Sequence, residues 1–207
     1  SFVCRQTRPL LARSLPQARK VEMLKSPLPD VVEHLEKVLA ASSIEEIWEL
    51  HTAAMKAYGF DRLLYGFTRF RTSNSFGNID DLLVLSNHSQ DYLDGFVKSG
   101  LFHHAPMVKW AAANEGACSW RWIEEQAQTG ILTASEQKVL DFNLKHGIRA
   151  GYSISFRDLS VRAKGAIGLT VREGMRQRDA DQIMAEHGRD ILIVNNVTHL
   201  RITAMPF

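Results

Sequence analysis

Few residues in this chain are placed for covalent or acid–base chemistry. His103 and His104 are neighbours, and adjacent side chains do not converge on one ion without partners. They read as solvated or capping histidines. Ser153 with His88 is the one nucleophile–base combination that a fold could bring together. The sequence carries no Gly-x-Ser-x-Gly elbow, Walker loop or His-Glu-x-x-His. Cys4 and Cys118 lie far apart, with neither metal-site spacing nor a bridge framework, and read as free thiols. The chemistry these residues suit is non-covalent. Between Asn87 and Trp120 the chain places Tyr92 and Phe96 one helical turn apart, then Pro106, then Trp120. Tyr92 and Phe96 share one helix face, either as core packing or as the wall of a small-molecule pocket. His88 ends a strand, where its polar tip is structural or enters such a pocket. Trp120 and Trp122, two residues apart, would point to opposite sides of a strand. Gly165-Ala-Ile-Gly168 lies inside a strand pattern. It therefore signals close backbone approach, or room left for a ligand, rather than a phosphate cradle.

The elements that must position these groups are legible from periodicity. Asp30 caps a helix with Val31, Leu35, Val38 and Leu39 on one face, and Ser43 to Glu46 spells a capping box for a second helix that stops at Gly59. Residues 62–70 and 81–87 read as strands around a polar hairpin loop, 71–79. Ser89 caps a helix ending at Gly100, and Pro106 opens another that reaches about Asn114. Residues 116–119 read as a short edge strand. A second capping box, Thr133 to Glu136, starts a helix that ends at Gly147. Residues 150–157 and 165–172 are strands, and a long helix runs from about Asp179 to Ile202. Hairpins alternating with helical blocks give an α+β class: an α-β-α sandwich around a central, mostly antiparallel five-stranded sheet, with a ligand pocket between sheet and helices.

Bulk properties agree with one globular domain. The chain has 207 residues, 45% apolar and 23% charged. Its formal charge of +2 is uneven: residues 1–22 hold Arg5, Arg8, Arg13, Arg19 and Lys20 against Glu22. Residues 23–207 keep 20 basic and 22 acidic residues, which argues against polyanion binding by charge alone. Residues 1–22 are read as a disordered extension or a non-native remnant, with organelle targeting as the alternative. The folded domain then spans 23–207. No apolar run approaches the length of a membrane span.

From about Leu28 to Ile202 the sequence resembles the autoinducer-binding domain of LuxR-type quorum-sensing regulators. Tyr58-Gly-Phe-Asp-Arg-Leu-Leu-Tyr-Gly-Phe67 is similar to the entry to that family's first strand, Gly147-Ile-Arg-Ala-Gly151 to the turn before its fourth, and Gly165–Val171 to its last. The family's central pattern is a Trp, a Tyr four residues on, an Asp-Pro pair, and a Trp fourteen residues beyond the Pro. Here the same spacings give Tyr92, Phe96, Ala105-Pro106 and Trp120.

The resemblance implies a binding site rather than an active site, with no cofactor and no metal. Tyr92 would donate through its hydroxyl to a ligand carbonyl, Trp120 would pack on the ligand ring, and Phe96 would keep the aromatic wall without a hydroxyl. Ala105 would leave the ligand amide without its usual acceptor. Gly168 stands where a last-strand hydroxyl is expected, with Thr170 and Ser153 as substitutes. Leu64, Gly66 and Thr68 would face the pocket from the first strand, and His88 and Met107 complete the lining. A buried amide N–H without a partner costs about 1–3 kcal/mol, roughly 5- to 150-fold in affinity. The implied signal is an acyl-homoserine lactone or, given Tyr92 and Ala105, a variant such as an aryl or pyrone-like molecule. The implied context is cytoplasmic and homodimeric, with DNA bound only through a C-terminal helix-turn-helix that this sequence does not show. The alternatives are a sensor-only or ligand-free dimerisation module that inhibits a full-length regulator and, remotely, a lactone hydrolase.

Overall fold

The computed structural model describes residues 27–73, 75–157 and 160–206. The proposed extension at 1–22, and Cys4 with it, lie outside the described residues. Five strands form one antiparallel sheet in the order β2-β1-β5-β4-β3. They are β1 (Phe60–Thr68), β2 (Leu82–Ser86), β3 (Gly116–Ser119), β4 (Gly151–Ser155) and β5 (Lys164–Val171). Helices α1 (Val31–Ala40), α2 (Ile44–Tyr58) and α7 (Gln177–Thr203) cover one face. The other face carries α3 (Gln90–Leu93), α4 (Pro106–Ala113), α5 (Arg121–Gln128) and α6 (Ala134–Lys145). This is the α+β sandwich expected from the order of elements.

Local chemistry explains most boundaries. Asp30 and Ser43 accept from the third backbone N–H of their helices, Glu33 and Glu46. The Glu46 carboxylate returns its bond to Ser42 rather than Ser43, so the first capping box is offset by one residue. The second, Thr133 with Glu136, closes in both directions. Gly59 takes φ +102 at the end of α2 and turns the chain straight into β1, which therefore begins at Phe60 rather than at 62.

Two elements differ from the sequence expectation. The single helix expected after Ser89 is one α turn followed by a π turn, Asp94–Lys98. The widening occurs at Gly95, where the Phe142 ring lies 2.4 Å from the place a Cβ would occupy. The segment after β3 is a helix, α5, not a strand continuing through Trp122. Ser119 Oγ accepts from Arg121 N at 3.2 Å and starts it. Trp120 and Trp122 consequently do not take opposite faces; both pack inward against the cluster of Phe76, Met107, Trp110 and Cys118.

The main core lies between the sheet and α1, α2 and α7, with Ile47, Met55, Leu63, Leu169, Ile191 and Ile202 among its fully buried members. A polar seam runs through it. Asn195 Nδ2 donates to Ile191 O, which fixes its Oδ1 as the acceptor facing His51 Nε2 at 2.9 Å. His51 is then a neutral imidazole whose Nδ1 accepts from Thr198 Oγ1 at 3.2 Å. Next to it, His199 bonds the Tyr65 hydroxyl at 2.9 Å and stacks on Phe156. Gly165 admits that ring, because a Cβ there would stand 2.4 Å from it.

Burial, with the nearby charges, lowers the pKa of His51 to about 3 and of His199 to about 4. An unfolded histidine titrates near ~6.5. Between those values the unfolded chain takes up protons that the buried rings do not. Stability is therefore flat above about pH 6.5 and falls as the pH drops below it, by up to about 1.4 kcal/mol per unit per ring. Urea titrations between pH 7.5 and 4.5 should show a midpoint that holds and then declines; an unchanged midpoint at pH 5 would contradict this assignment. Gly165→Ala should destabilise the domain by about 1–3 kcal/mol through the clash with His199, measured in the same way.

Candidate functional site

The second face of the sheet encloses a cavity of about 170 Å³. Strand alternation builds its floor. Leu64, Gly168 and Ser153 lie side by side across β1, β5 and β4, and Gly66 and Ala166 form the next rung on β1 and β5. All five line the cavity. The walls come from the opposite layer: Tyr92 and Phe96 from the α3–π segment, Phe102 and Ala105 ahead of α4, and Met107 on α4. Val139 and Asn143, one turn apart on α6, line it from above.

Trp120 dominates one side. Its indole lies over two glycines: a Cβ at Gly168 would meet the ring at 3.7 Å, and one at Gly151 would come within 2.9 Å. Its Nε1 donates to Ser153 Oγ at 2.9 Å. Its chain neighbours anchor it to the last helix. Ser119 Oγ donates to Asp181 at 2.6 Å, and Arg121 pairs with the same carboxylate. Burial raises the Asp181 pKa, but bonds from Ser119, Gln177, Arg121 and Tyr152 outweigh it and hold the carboxyl below its ordinary range.

The opposite end is aromatic and polar. Tyr92 stacks between Phe96 at 5.2 Å and Phe142 at 5.5 Å, with His88 at 4.5 Å. Its hydroxyl donates to Asn143 Oδ1 at 3.0 Å, so its proton is engaged by the protein rather than left for a ligand. Burial pushes the pKa of Tyr92 well above its usual value, with Arg62 opposing. Burial, Arg62 and His146 lower His88 to about 4. At neutral pH Tyr92 is therefore a phenol and His88 an uncharged ring.

Of the residues expected at the site, Leu64, Gly66, His88, Tyr92, Phe96, Ala105, Met107, Trp120, Ser153 and Gly168 line this one cavity. Thr68 does not. It ends β1, and its Oγ1 accepts from Phe70 N at 3.0 Å, a local turn bond. His103 and His104 are exposed on a 3-10 turn, and His103 packs on Phe102. Ser153 is bonded to Trp120; among the described residues no hydrogen bond joins it to His88. Asn143 was not anticipated. The signal available was a polar residue four positions after Val139 on the buried stripe of a predicted helix.

The family model of the autoinducer binding domain matches residues 43–202. The chain belongs to that family. A comparison with curated proteins gave no match. Among solved structures it is similar to the N-acylhomoserine lactone-dependent LuxR-family transcription factor CepR2 of Burkholderia cenocepacia. That match has a TM-score of 0.64 and 20% identity, over 84% of this chain and 93% of that one. It is similar also to SdiA of Escherichia coli (TM-score 0.53, 12% identity, 80% and 67% covered) and to the ligand-binding domain of VqsR from Pseudomonas aeruginosa (TM-score 0.53, 11%, 84% and 98%). At these identities the likeness shows the fold. An autoinducer-binding domain serves small-molecule sensing in LuxR-type regulators, and no described helix is long and apolar enough to cross a membrane.

The two glycines under Trp120 should respond differently to a methyl group. Gly168→Ala finds ordinary contact distance and should change unfolding free energy by no more than about 0.5 kcal/mol while narrowing the cavity. Gly151→Ala would place its Cβ 2.0 Å from Leu169 O and should cost about 3 kcal/mol or prevent folding. Denaturant titration of both variants distinguishes a cavity glycine from a packing glycine.

Proposed function

We propose that this domain binds a small diffusible signal in the cavity beneath Trp120 and Tyr92, and that the signal differs from the acyl-homoserine lactones. The observation that carries this reading is the side chain at position 105. Ala105 is buried in the cavity wall between Phe102 and Pro106 and offers a ligand amide no acceptor. The spacing of this family puts an aspartate there. Tyr92, in the place of a Trp donor, has its proton committed to Asn143. The cavity is also small. At about 170 Å³ it is below the ~300 Å³ typical of ligand sites and close to the ~150 Å³ apolar cavity that holds benzene. A ring-sized molecule fits as the side chains stand, whereas a long acyl chain needs them displaced. The related SdiA fold has been solved in complex with octanoyl-rac-glycerol, an ester without an amide N–H, which supports a non-lactone ligand for this architecture.

In this reading the protein acts in the cytoplasm as a homodimer, and DNA is bound through a helix-turn-helix outside this chain. Ligand binding stabilises the folded sensor by mass action and shifts its equilibrium toward the active form. Trp120 touches the ligand, and its neighbours Ser119 and Arg121 hold Asp181 on α7, a contiguous route from cavity to last helix.

A second reading is favoured by two hydrogen bonds inside the cavity. Tyr92 bonds Asn143 and Trp120 bonds Ser153, so both aromatic donors are engaged by the protein itself. A ligand-free dimerisation module that traps a full-length regulator fits that. No stabilising compound in a broad thermal-shift screen, together with a stable dimer in solution, would establish it.

Replacing Ala105 by Asp tests the primary reading. Native protein should bind acyl-homoserine lactones weakly, and Ala105→Asp should gain roughly 5- to 150-fold, the value of one buried amide bond. Tight lactone binding by the native domain, measured by calorimetry, would refute the assignment.

A further inference from the structure

The polar end of the cavity can offer one donor from each of three side chains. Asn143 spends its Oδ1 on the Tyr92 hydroxyl, which leaves its Nδ2 amide group as a donor only. That amide group, the ring nitrogens of His88 and the hydroxyl of Thr170 have no hydrogen-bond partner among the described residues, and all three residues line the cavity. Thr170 stands beside Arg62 in the β1–β5 register, on the strand face that also carries Gly168 and Ala166. Arg62 flanks this end as the cross-strand neighbour of Thr170. It donates to the carbonyls of His146, Gly147 and Val171, and Asp61 pairs with it at 3.3 Å. Its charge adds to the lowering that burial imposes on the His88 pKa and works against the rise that burial imposes on Tyr92. Arg149 also lines the cavity; among the described residues the one carboxylate that does so is Glu124, an exposed residue of α5 on the Trp120 side. With Ala at position 105, no acidic side chain among the described residues lines the polar end.

We infer that the ligand is an aromatic carboxylate, its ring held between Trp120 and the Tyr92–Phe96 wall and its carboxylate accepting from Asn143, Thr170 and His88 beside Arg62. A buried carboxylate is tolerated only when its lone pairs are hydrogen-bonded and a positive charge is near, and this end supplies both. A lactone or ester uses the same donors but gains little from the cation beside them. The inference rests on the proposed sensing role of this cavity and names the ligand class for it.

Phenylacetate, methyl phenylacetate and phenylacetamide, titrated against the chain by calorimetry at neutral pH, separate charge from shape. The carboxylate should bind at least ten-fold tighter than either neutral compound. Thr170→Val, which keeps the shape of the side chain, and His88→Phe, which keeps a ring against Tyr92, should each lower phenylacetate affinity about five-fold or more and the ester's affinity by a smaller factor. An unchanged thermal-unfolding midpoint of each variant without ligand serves as the control for folding; equal losses for acid and ester would overturn the role of charge. Equal or tighter binding of a neutral compound overturns the carboxylate assignment and leaves the sensing role standing, as does binding of none of the three while octanoylglycerol or an acyl-homoserine lactone stabilises the domain. If no compound of either group binds, the sensing role fails with it.

Discussion

Everything in this fold depends on how closely rings can approach the central strand β5. Gly165 and Gly168 lie three residues apart and therefore face opposite sides of the sheet. On one side Gly165 admits His199, which stacks on Phe156 and bonds Tyr65, seating α7 against the sheet. On the other, Gly168 leaves the space over which Trp120 lies. A larger residue at the first position would lift the last helix; at the second it would fill the cavity. One short motif thus sets the depth of both layers.

The two layers are stabilised differently. The α1–α2–α7 side is a dense apolar core crossed by a fully bonded polar seam, His51–Asn195–Thr198, whose neutral rings tie its integrity to pH. The cavity side is divided into two smaller clusters, one around Trp110 and Met107 and one around Tyr92 and Phe96. The space between them is the cavity. Lower packing density there allows local rearrangement, while the opposite core fixes the sheet on which any ligand would be read. The Asp181 network joins the two sides, since it binds the residues flanking Trp120 to the first turns of α7.

Much of the fold was legible because its signals are local. Capping residues at Asp30, Ser43, Ser89 and Thr133, stop glycines at 59, 100 and 147, and period-two strands each act within a few residues. The errors came where a distant residue decided. The π turn lies where Phe142 packs on Gly95, and α5 begins beside Ser119, which bonds Asp181 on α7. The resemblance puts Thr68 on the cavity face with Leu64 and Gly66, but β1 ends there and its hydroxyl turns back to the chain.

The sequence by itself determined the family, the order of elements and the identity of the aromatic and small residues that line the cavity. Spacing and period are one-dimensional properties, and hydrophobic faces follow from them. It also determined that Ala105 supplies no acceptor. The tertiary structure alone decided which polar atoms remain free. Asn143 meets Tyr92 across 51 positions, Ser153 meets Trp120 across 33, and Arg62 lies beside Thr170 through strand register. Hydrogen bonds are short-ranged and each donor is used once, so the polarity of the cavity depends on pairings that only folding creates.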